Sequence, residues 1–341
     1  MTHVTSEWIC LESYCELLSK KQFFGASAYH KAEWLMATSY SFNCEVRCVQ
    51  TSQNGEVLAI TPFMYKRKGP IKLIGASLRG TYTEFSGPLF VPNLGAAIVE
   101  KVLNSQHQLV SRHQDYVEWR VKANSNNIDV FSDTLKDLGY EFEYVPSLLI
   151  DLSQGEESLW MSFVGSTRRA VRKAEKNGLV ASVVTPSQEW LLNYYGVLTE
   201  TFARQGLAVP HPLEFFQTIG QLHKSGFIYC VEVRIENGLG AAAIFVKDNS
   251  RMMFLSGVAT KEGMRLAASS LVHWEAMKLG ISHGVIDYDF GGLGIVSIDK
   301  FKRGFGGIEI NHLKWTRRTG LFRFIEPLAV WLVKRGWIGL N

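Results

Sequence analysis

Residues 285–307 read V-I-D-Y-D-F-G-G-L-G-I-V-S-I-D-K-F-K-R-G-F-G-G. The run Asp287-Tyr288-Asp289-Phe290 alternates as a strand does, which puts the two carboxylates on one face and the two rings on the other. Gly291-Gly292 open the backbone immediately afterwards. Carboxylates at the end of a strand beside a glycine loop occupy the place where α/β folds put ligands. Phe301-Lys302-Arg303 then precede Gly304-Phe305-Gly306-Gly307, and Lys302 is the leading candidate for a functional side chain.

Working outward, the second half of the chain predicts a basic helix over 156–177 closed by Gly178, helices over 188–204 and 213–224, and strands over 227–235, 241–247 and 252–258. A helix over 266–279 leads to the strand at 285–290, and a strand over 307–315 precedes a final helix starting at Pro327. The first half predicts a helix over 28–40 and strands over 44–51 and 56–66 joined at Asn54-Gly55, because a type I′ turn needs positive φ at both central residues. Strands over 71–75, 115–122 and 141–151 and helices over 95–112 and 128–138 complete it.

The halves share landmarks in one order: Asn-Gly (Asn54-Gly55; Asn237-Gly238), Ser-Gly (Ser86-Gly87; Ser256-Gly257), a helix, and an acidic strand (Asp115 to Glu118; Asp287 to Asp289). That repetition implies a duplicated mixed α/β unit. Turn residues Ser153-Gln154-Gly155 set the boundary, giving domains 1–152 and 153–341.

Composition narrows the class. The chain has 341 residues, 46% hydrophobic and 20% charged, with 36 Lys+Arg against 32 Asp+Glu for a net +4. These values describe folded domains and argue against a nucleic-acid-coating protein. The N-terminal residues carry Glu7, Glu12 and Glu16 without a basic-then-apolar leader, so a cytoplasmic location is expected, with the inner face of the membrane as its possible site of work. Five cysteines without a C-x-x-C pair point to free thiols, and the nine histidines to ordinary core or surface residues, so no metal is expected. Gly238-Leu239-Gly240 leads into a strand instead of the helix a dinucleotide needs, and neither a P-loop nor a hydrolase elbow is present.

The basic helix Arg168-Arg169-Ala170-Val171-Arg172-Lys173-Ala174, then Arg204, then Asp289-Phe290-Gly291-Gly292, then Phe301-Lys302 with Phe305-Gly306, resembles the Fem-type, FemABX-like acyltransferases across residues 151–316. The resemblance implies tandem GNAT-like domains with a substrate cleft between them, and transfer of an amino acid from aminoacyl-tRNA to an amine of a peptidoglycan precursor. It also implies that Phe301 shapes the pocket, that Lys302 places a cation at the acceptor phosphates or the reacting carbonyl, and that Arg204 contacts acceptor phosphate. Two departures matter. The long helical arm of some Fem-type enzymes is absent, and no R/Q-x-x-G-x-G/A loop precedes Ala267-Ala268-Ser269-Ser270, so the donor stays open between aminoacyl-tRNA and acyl-coenzyme A, with no bound cofactor expected.

The chemistry supports the same residues independently. Acyl transfer to an amine builds negative charge on the carbonyl oxygen, which a fixed cation such as Lys302 stabilises, and the amine must lose a proton, for which Asp289 is the candidate acceptor or else a cap on the glycine loop. Arg168, Arg172 and Lys176, spaced i, i+4, i+8, form a stripe that either meets phosphates or is a solvated face balanced by Glu156, Glu157 and Glu175, and Tyr288 is a further candidate substrate contact. Beyond Arg317, Phe322, Phe324, Trp331 and Trp337 interleave with basic residues in a run shorter than the ~20 apolar residues of a membrane span, a helix expected to pack on the second domain or else to make peripheral contact with a membrane. The expected function is an N-acyltransferase acting without metal on an amine of a nucleotide- or lipid-linked glycan or peptide precursor of the cell wall or surface. A coenzyme-A-dependent acyltransferase on an amino sugar or secondary metabolite and an inactive GNAT-like binding module are the alternatives.

Overall fold

The computed structural model of the chain describes residues 3–20, 23, 25–122, 128–204, 206–236 and 238–334. It divides into two compact units, Met1–Tyr144 with His312–Asn341, and Val145–Asn311.

The first unit begins with β1 (Val4–Ile9), α1 (Leu11–Ser19), a 3-10 turn at Ala28–His30 and α2 (Ala32–Phe42). The hairpin β2 (Glu45–Gln53) and β3 (Glu56–Lys68) follows, then β4 (Ile71–Ala76), the short β5 (Leu89–Phe90), α3 (Ala96–Val110), β6 (Tyr116–Val121), α4 (Ile128–Asp137) and the start of β7 (Glu141–Asp151). The hairpin turns where expected, with Asn54 at φ 53° and Gly55 at φ 83°. Strands β1 to β4 pair antiparallel in sequence, whereas β4 and β6 run parallel because α3 carries the chain back across the sheet.

The second unit opens with the remainder of β7, then α5 (Gly155–Ser162), α6 (Gly165–Lys176), β8 (Ala181–Val184), α7 (Gln188–Ala203) and α8 (Leu213–Gln221). It continues through β9 (Ile228–Ile235), β10 (Gly238–Lys247), β11 (Arg251–Ala259), α9 (Lys261–Arg265), α10 (Ala268–Ser282), β12 (Asp287–Gly292) and α11 (Val296–Arg303), and the chain leaves through β13 (Ile308–Arg318) to α12 (Gly320–Lys334). The strands β8 to β11 are antiparallel, and β11 and β12 are parallel across α10. This is the pairing pattern of the first unit, so the sequence repeat corresponds to a structural one.

Each unit takes in a strand drawn from the other half of the sequence. In the first unit β13 pairs with β6 through Leu313–Arg318, and in the second β7 pairs with β12 through Ser147–Asp151. The predicted division at 152/153 differs from the observed one at both ends of the second unit, which begins at Val145 and stops at Asn311, the chain from His312 grouping with the first unit. Burial explains it: Trp315 belongs to the core of Phe63, Trp119 and Phe131, and Phe322 to that of Tyr14, Ile60 and Tyr116.

Several predicted elements shift for local reasons. The helix expected over 156–177 breaks at Phe163-Val164, both extended, because Phe163 turns inward onto Trp274 and Phe305 at ring distances of 5.3 and 5.1 Å. The helix expected from 266 becomes α9 and α10, separated by Ala267 in the left-handed region at φ 61°. Gly263 in α9 lies so near β10 that a Cβ there would come within 1.9 Å of the Gly240 carbonyl oxygen. The glycine loop after β12 contains α11, which sequence reading missed: Asp299 turns back to accept from the Gly294 and Ile295 amides, as a capping side chain does. Helix α12 starts at Gly320 and holds Pro327 inside it. Strands β1 and β8 and helix α1 were not anticipated, and the shared Ser-Gly landmark fails, since Ser256-Gly257 lies within β11 and Ser86-Gly87 in no regular element. The Asn237-Gly238 turn falls partly outside the described residues.

Candidate active site in the second unit

The site is built where two parallel strands part. The ladder between β11 and β12 covers three pairs, Arg251 with Asp287, Met252 with Tyr288 and Met253 with Asp289, although β11 continues to Ala259 and β12 to Gly292. On its other edge β11 carries an extra residue, Leu255, since Ile244 faces Ser256 while Phe245 faces Phe254. Such a bulge removes one residue's backbone groups from the ladder and turns the strand. The sheet thus opens at the C-terminal ends of its parallel strands, where side chains from α10 and α11 enter.

Lys302 enters from α11. Only 6% exposed, it donates from Nζ to the Gly292 carbonyl at 2.6 Å and the Gly291 carbonyl at 3.2 Å, with its ammonium 6.0 Å from the Phe254 ring centre. Phe301 packs beside it against His273, Phe290 and Phe305 at ring distances of 5.6, 6.3 and 5.3 Å. The lysine predicted from sequence is therefore a buried cation fixed to the opening of β12 among aromatic rings, a setting in which a charge acts more strongly than in water.

Asp289 is equally buried but differently engaged. One carboxylate oxygen accepts from the Ser147 hydroxyl at 2.5 Å and the Gly291 amide at 2.9 Å, and the other from the Arg251 guanidinium at 3.1 Å. Arg251, 3% exposed, also reaches Asp287 at 3.1 Å. The carboxylate therefore joins β7, β11 and the glycine loop, which is the capping geometry. Its ion-pair partner Arg251 went unnoticed in the sequence because nothing about a lone arginine at a strand start marks it.

Tyr288 is fully buried on the opposite face, its hydroxyl 2.6 Å from His273 Nδ1. His273 was read from sequence as an ordinary histidine; the fold sets it among Phe254, Phe290 and Phe301 beside Lys302. Burial, and secondarily the Lys302 charge, pulls its pKa down to about 3. With the folded value depressed below the ordinary 6.5, the unfolded chain takes up the proton first. The stability contributed by neutral His273 is then complete above pH ~6.5 and lost as pH falls toward ~3, at up to about 1.4 kcal/mol per pH unit. Urea midpoints measured between neutral and acidic pH should fall more steeply for wild type than for His273→Gln, and equal slopes would refute the assignment.

The remaining predicted residues are distributed elsewhere in this unit. Arg168 donates to the Met161 and Phe163 carbonyls at 2.8 and 2.5 Å, bracing the break between α5 and α6. That break adjoins α11, because the Val164 amide donates to the Gly304 carbonyl at 2.9 Å. Arg172 lies 5.4 Å from the Trp160 ring centre, on the wall of an open cavity of about 510 Å³ shared with Glu156, Glu157, Glu175 and Trp274. Arg204 ends α7 and donates to Thr201 and to the carbonyl of Ala259, the last residue of β11, at 2.9 and 3.3 Å. Lys302, Phe301, Asp289 and Tyr288 thus gather around the end of β12, Arg204 stands at the end of β11, and Arg168 and Arg172 belong to α6. Among the described residues no group of three or more His, Cys, Asp or Glu is placed to hold a metal ion.

Residues 162–303 match the acetyltransferase (GNAT) domain family. The fold is similar to that of FemX (TM-score 0.71, 14% identity, 94% of this chain and 100% of that one). It is also similar to a tandem GNAT protein from the clavulanic acid biosynthesis pathway (TM-score 0.57, 10% identity, 94% and 99% of the two chains). A further likeness is to the C-terminal domain of a putative lysylphosphatidylglycerol synthetase from Agrobacterium fabrum (TM-score 0.53, 11% identity, 81% and 85%). No curated protein matches the chain at the level of sequence.

Proposed function

We propose that this chain, whose residues 162–303 match the acetyltransferase (GNAT) domain family and whose fold is similar to that of FemX, is a FemABX-like acyltransferase that moves an aminoacyl or acyl group onto an amine of a cell-wall or surface-glycan precursor, carried on a nucleotide or a lipid. The observation that carries this reading is the buried Lys302 ammonium at the point where β11 and β12 part. Attack by the amine nitrogen forms the C–N bond and a tetrahedral oxyanion; collapse breaks the bond to the ester oxygen or thioester sulfur of the donor, which leaves with the proton that the nitrogen gives up. Lys302 faces the oxyanion, and the bulge at Leu255 supplies backbone groups outside the ladder to the same charge. Phe301 and Phe254 exclude water from it. Asp289 keeps the glycine loop and Arg251 in register, as a positioning residue, and Arg204 at the end of β11 meets acceptor phosphate.

The likeness to FemX and to the C-terminal domain of a putative lysylphosphatidylglycerol synthetase supports an aminoacyl donor and a lipid-linked or peptidoglycan-type acceptor. One local feature favours acyl-coenzyme A instead. Helix α10 follows Ala267 without a side-chain cap and begins with the small residues Ala268, Ser269 and Ser270, which suits a helix N-terminus turned toward a pyrophosphate. Ribonuclease treatment of an extract containing the active protein distinguishes them. Loss of transfer assigns tRNA as donor, and activity that survives and follows added acyl-coenzyme A assigns the second reading. Absence of transfer with both donors supplied overturns the proposal.

A further inference from the structure

The fork between β11 and β12 has an aromatic wall. Phe254 stands where the strands part, its carbonyl oxygen 3.5 Å from the place a Cβ on Gly291 would take. The bulge at Leu255 brings Phe254 and Gly257 to one face of β11, while Ser256 between them turns the other way and accepts a hydrogen bond from Tyr194 of α7 at 2.8 Å. The Phe254 ring lies down over Gly257: a Cβ there would come within 2.9 and 3.0 Å of its Cε2 and Cζ atoms. Only glycine leaves the ring in this place.

Lys302 faces that ring from the β12 side. Its ammonium, tied to the Gly291 and Gly292 carbonyls, is 6.0 Å from the ring centre. His273 lies behind, 5.0 Å from the Phe254 ring and 5.6 Å from that of Phe301. Phe254 is half-buried and Gly257 exposed, so the wall is open on its outer side to an entering molecule. Atoms in contact stand about 3.5–4 Å apart, so a span of 6.0 Å from ring centre to ammonium is too narrow for a long carbon chain to pass between the two.

We propose that Phe254, seated on Gly257, sets the length of the acyl group presented to Lys302, and that this group is short, of the size of an acetyl, glycyl or alanyl unit. Its carbonyl oxygen meets the ammonium, and the carbon chain beyond ends against the ring. A longer chain has to displace a ring packed on His273, Phe245 and Phe290 at ring distances of 5.0, 6.0 and 6.3 Å, and close-packed surroundings resist such a shift. The inference rests on the acyl-transfer reading of this site and is independent of whether the group arrives on tRNA or on coenzyme A.

Transfer by the full chain to nucleotide- and lipid-linked cell-wall precursors tests it, with acetyl-, butyryl- and octanoyl-coenzyme A and with alanyl- and leucyl-tRNA as donors. Within whichever donor class it uses, wild type should favour the shortest group over the longest by about tenfold or more in kcat/KM. Phe254→Ala should raise the long-to-short ratio about tenfold, Phe254→Leu by less, and Gly257→Ala, which pushes the ring into the fork, should lower it. A folding defect lowers the rates with all donors alike and leaves the ratio unmoved, and Phe254→Leu carries the test where the alanine variant does not fold. Wild type that prefers the longest group, or one ratio shared by wild type and variants, would overturn the inference and leave the acyl-transfer reading standing. Wild type that transfers no group from either class overturns that reading and the inference with it.

Discussion

Lys302→Met lowers kcat for acyl transfer by about two to three orders of magnitude, equivalent to ~2.7–4 kcal/mol of transition-state stabilisation, with a smaller effect on KM. The expectation follows from where the charge sits. An exposed lysine would be screened by water and its removal scarcely felt, but this one is 6% exposed and tethered to the Gly291 and Gly292 carbonyls, so its charge is directed at the opening between β11 and β12. Methionine keeps the length and the apolar stem while deleting the charge. It also leaves the two carbonyls without their donor, a structural cost of about 1–3 kcal/mol that thermal unfolding reports separately from kinetics. Lys302→Arg keeps the charge yet brings a planar fork where a compact ammonium bridges adjacent carbonyls, so it should recover only part of the rate. Initial rates over a substrate series, on protein whose circular dichroism is unchanged, check the claim; a Lys302→Met enzyme with wild-type kcat would move the chemistry elsewhere.

Arg251→Met is expected to be the most destabilising single change in the second unit. The guanidinium lies between Asp289 and Asp287, whose side chains are 4% and 25% exposed. Removing it deprives a buried carboxylate of its Arg251 ion pair, which costs about 3–5 kcal/mol. For a unit of this size that corresponds to a fall in midpoint on the order of 10 °C. The control is the double variant Arg251→Met, Asp289→Asn, which removes the carboxylate charge together with the guanidinium and should recover a substantial part of the loss. Thermal melts of the two single variants and the double one close the cycle. Additive losses would mean that the pair is not coupled, and that the glycine loop is held without it.

The parts of this molecule that could be read in the sequence are those that local chemistry dictates. Asn54-Gly55 specifies a turn because few residues accept its φ values, and the alternation at 287–290 specifies a strand because its faces differ in polarity. The Phe301-Lys302 pair stood out against glycines, and the fold puts it beside the end of β12. What stayed hidden depends on distant partners. The break at Phe163 exists because Trp274 and Phe305 receive its ring, and α11 was obscured by flanking glycines that signalled loop while Asp299 supplied the cap. Arg168, read as part of a phosphate-binding stripe, is engaged with backbone carbonyls seven and five residues behind it. His273 and Arg251 carry no local mark at all. Their importance arises from a strand pairing and a helix packing that bring together residues far apart in the chain.

The contribution of β13 to the first sheet reverses the order in which the halves can mature during synthesis. Everything the second unit requires, including its share of β7, has been translated by residue 311, whereas the first unit still waits for Leu313–Arg318 to close on β6. The part begun earlier therefore emerges from the ribosome incomplete, with one flank of β6 uncovered, and is finished last. Nascent chains stalled just short of β13 should yield a protease-resistant core from the later-encoded half while the earlier-encoded half is still digested.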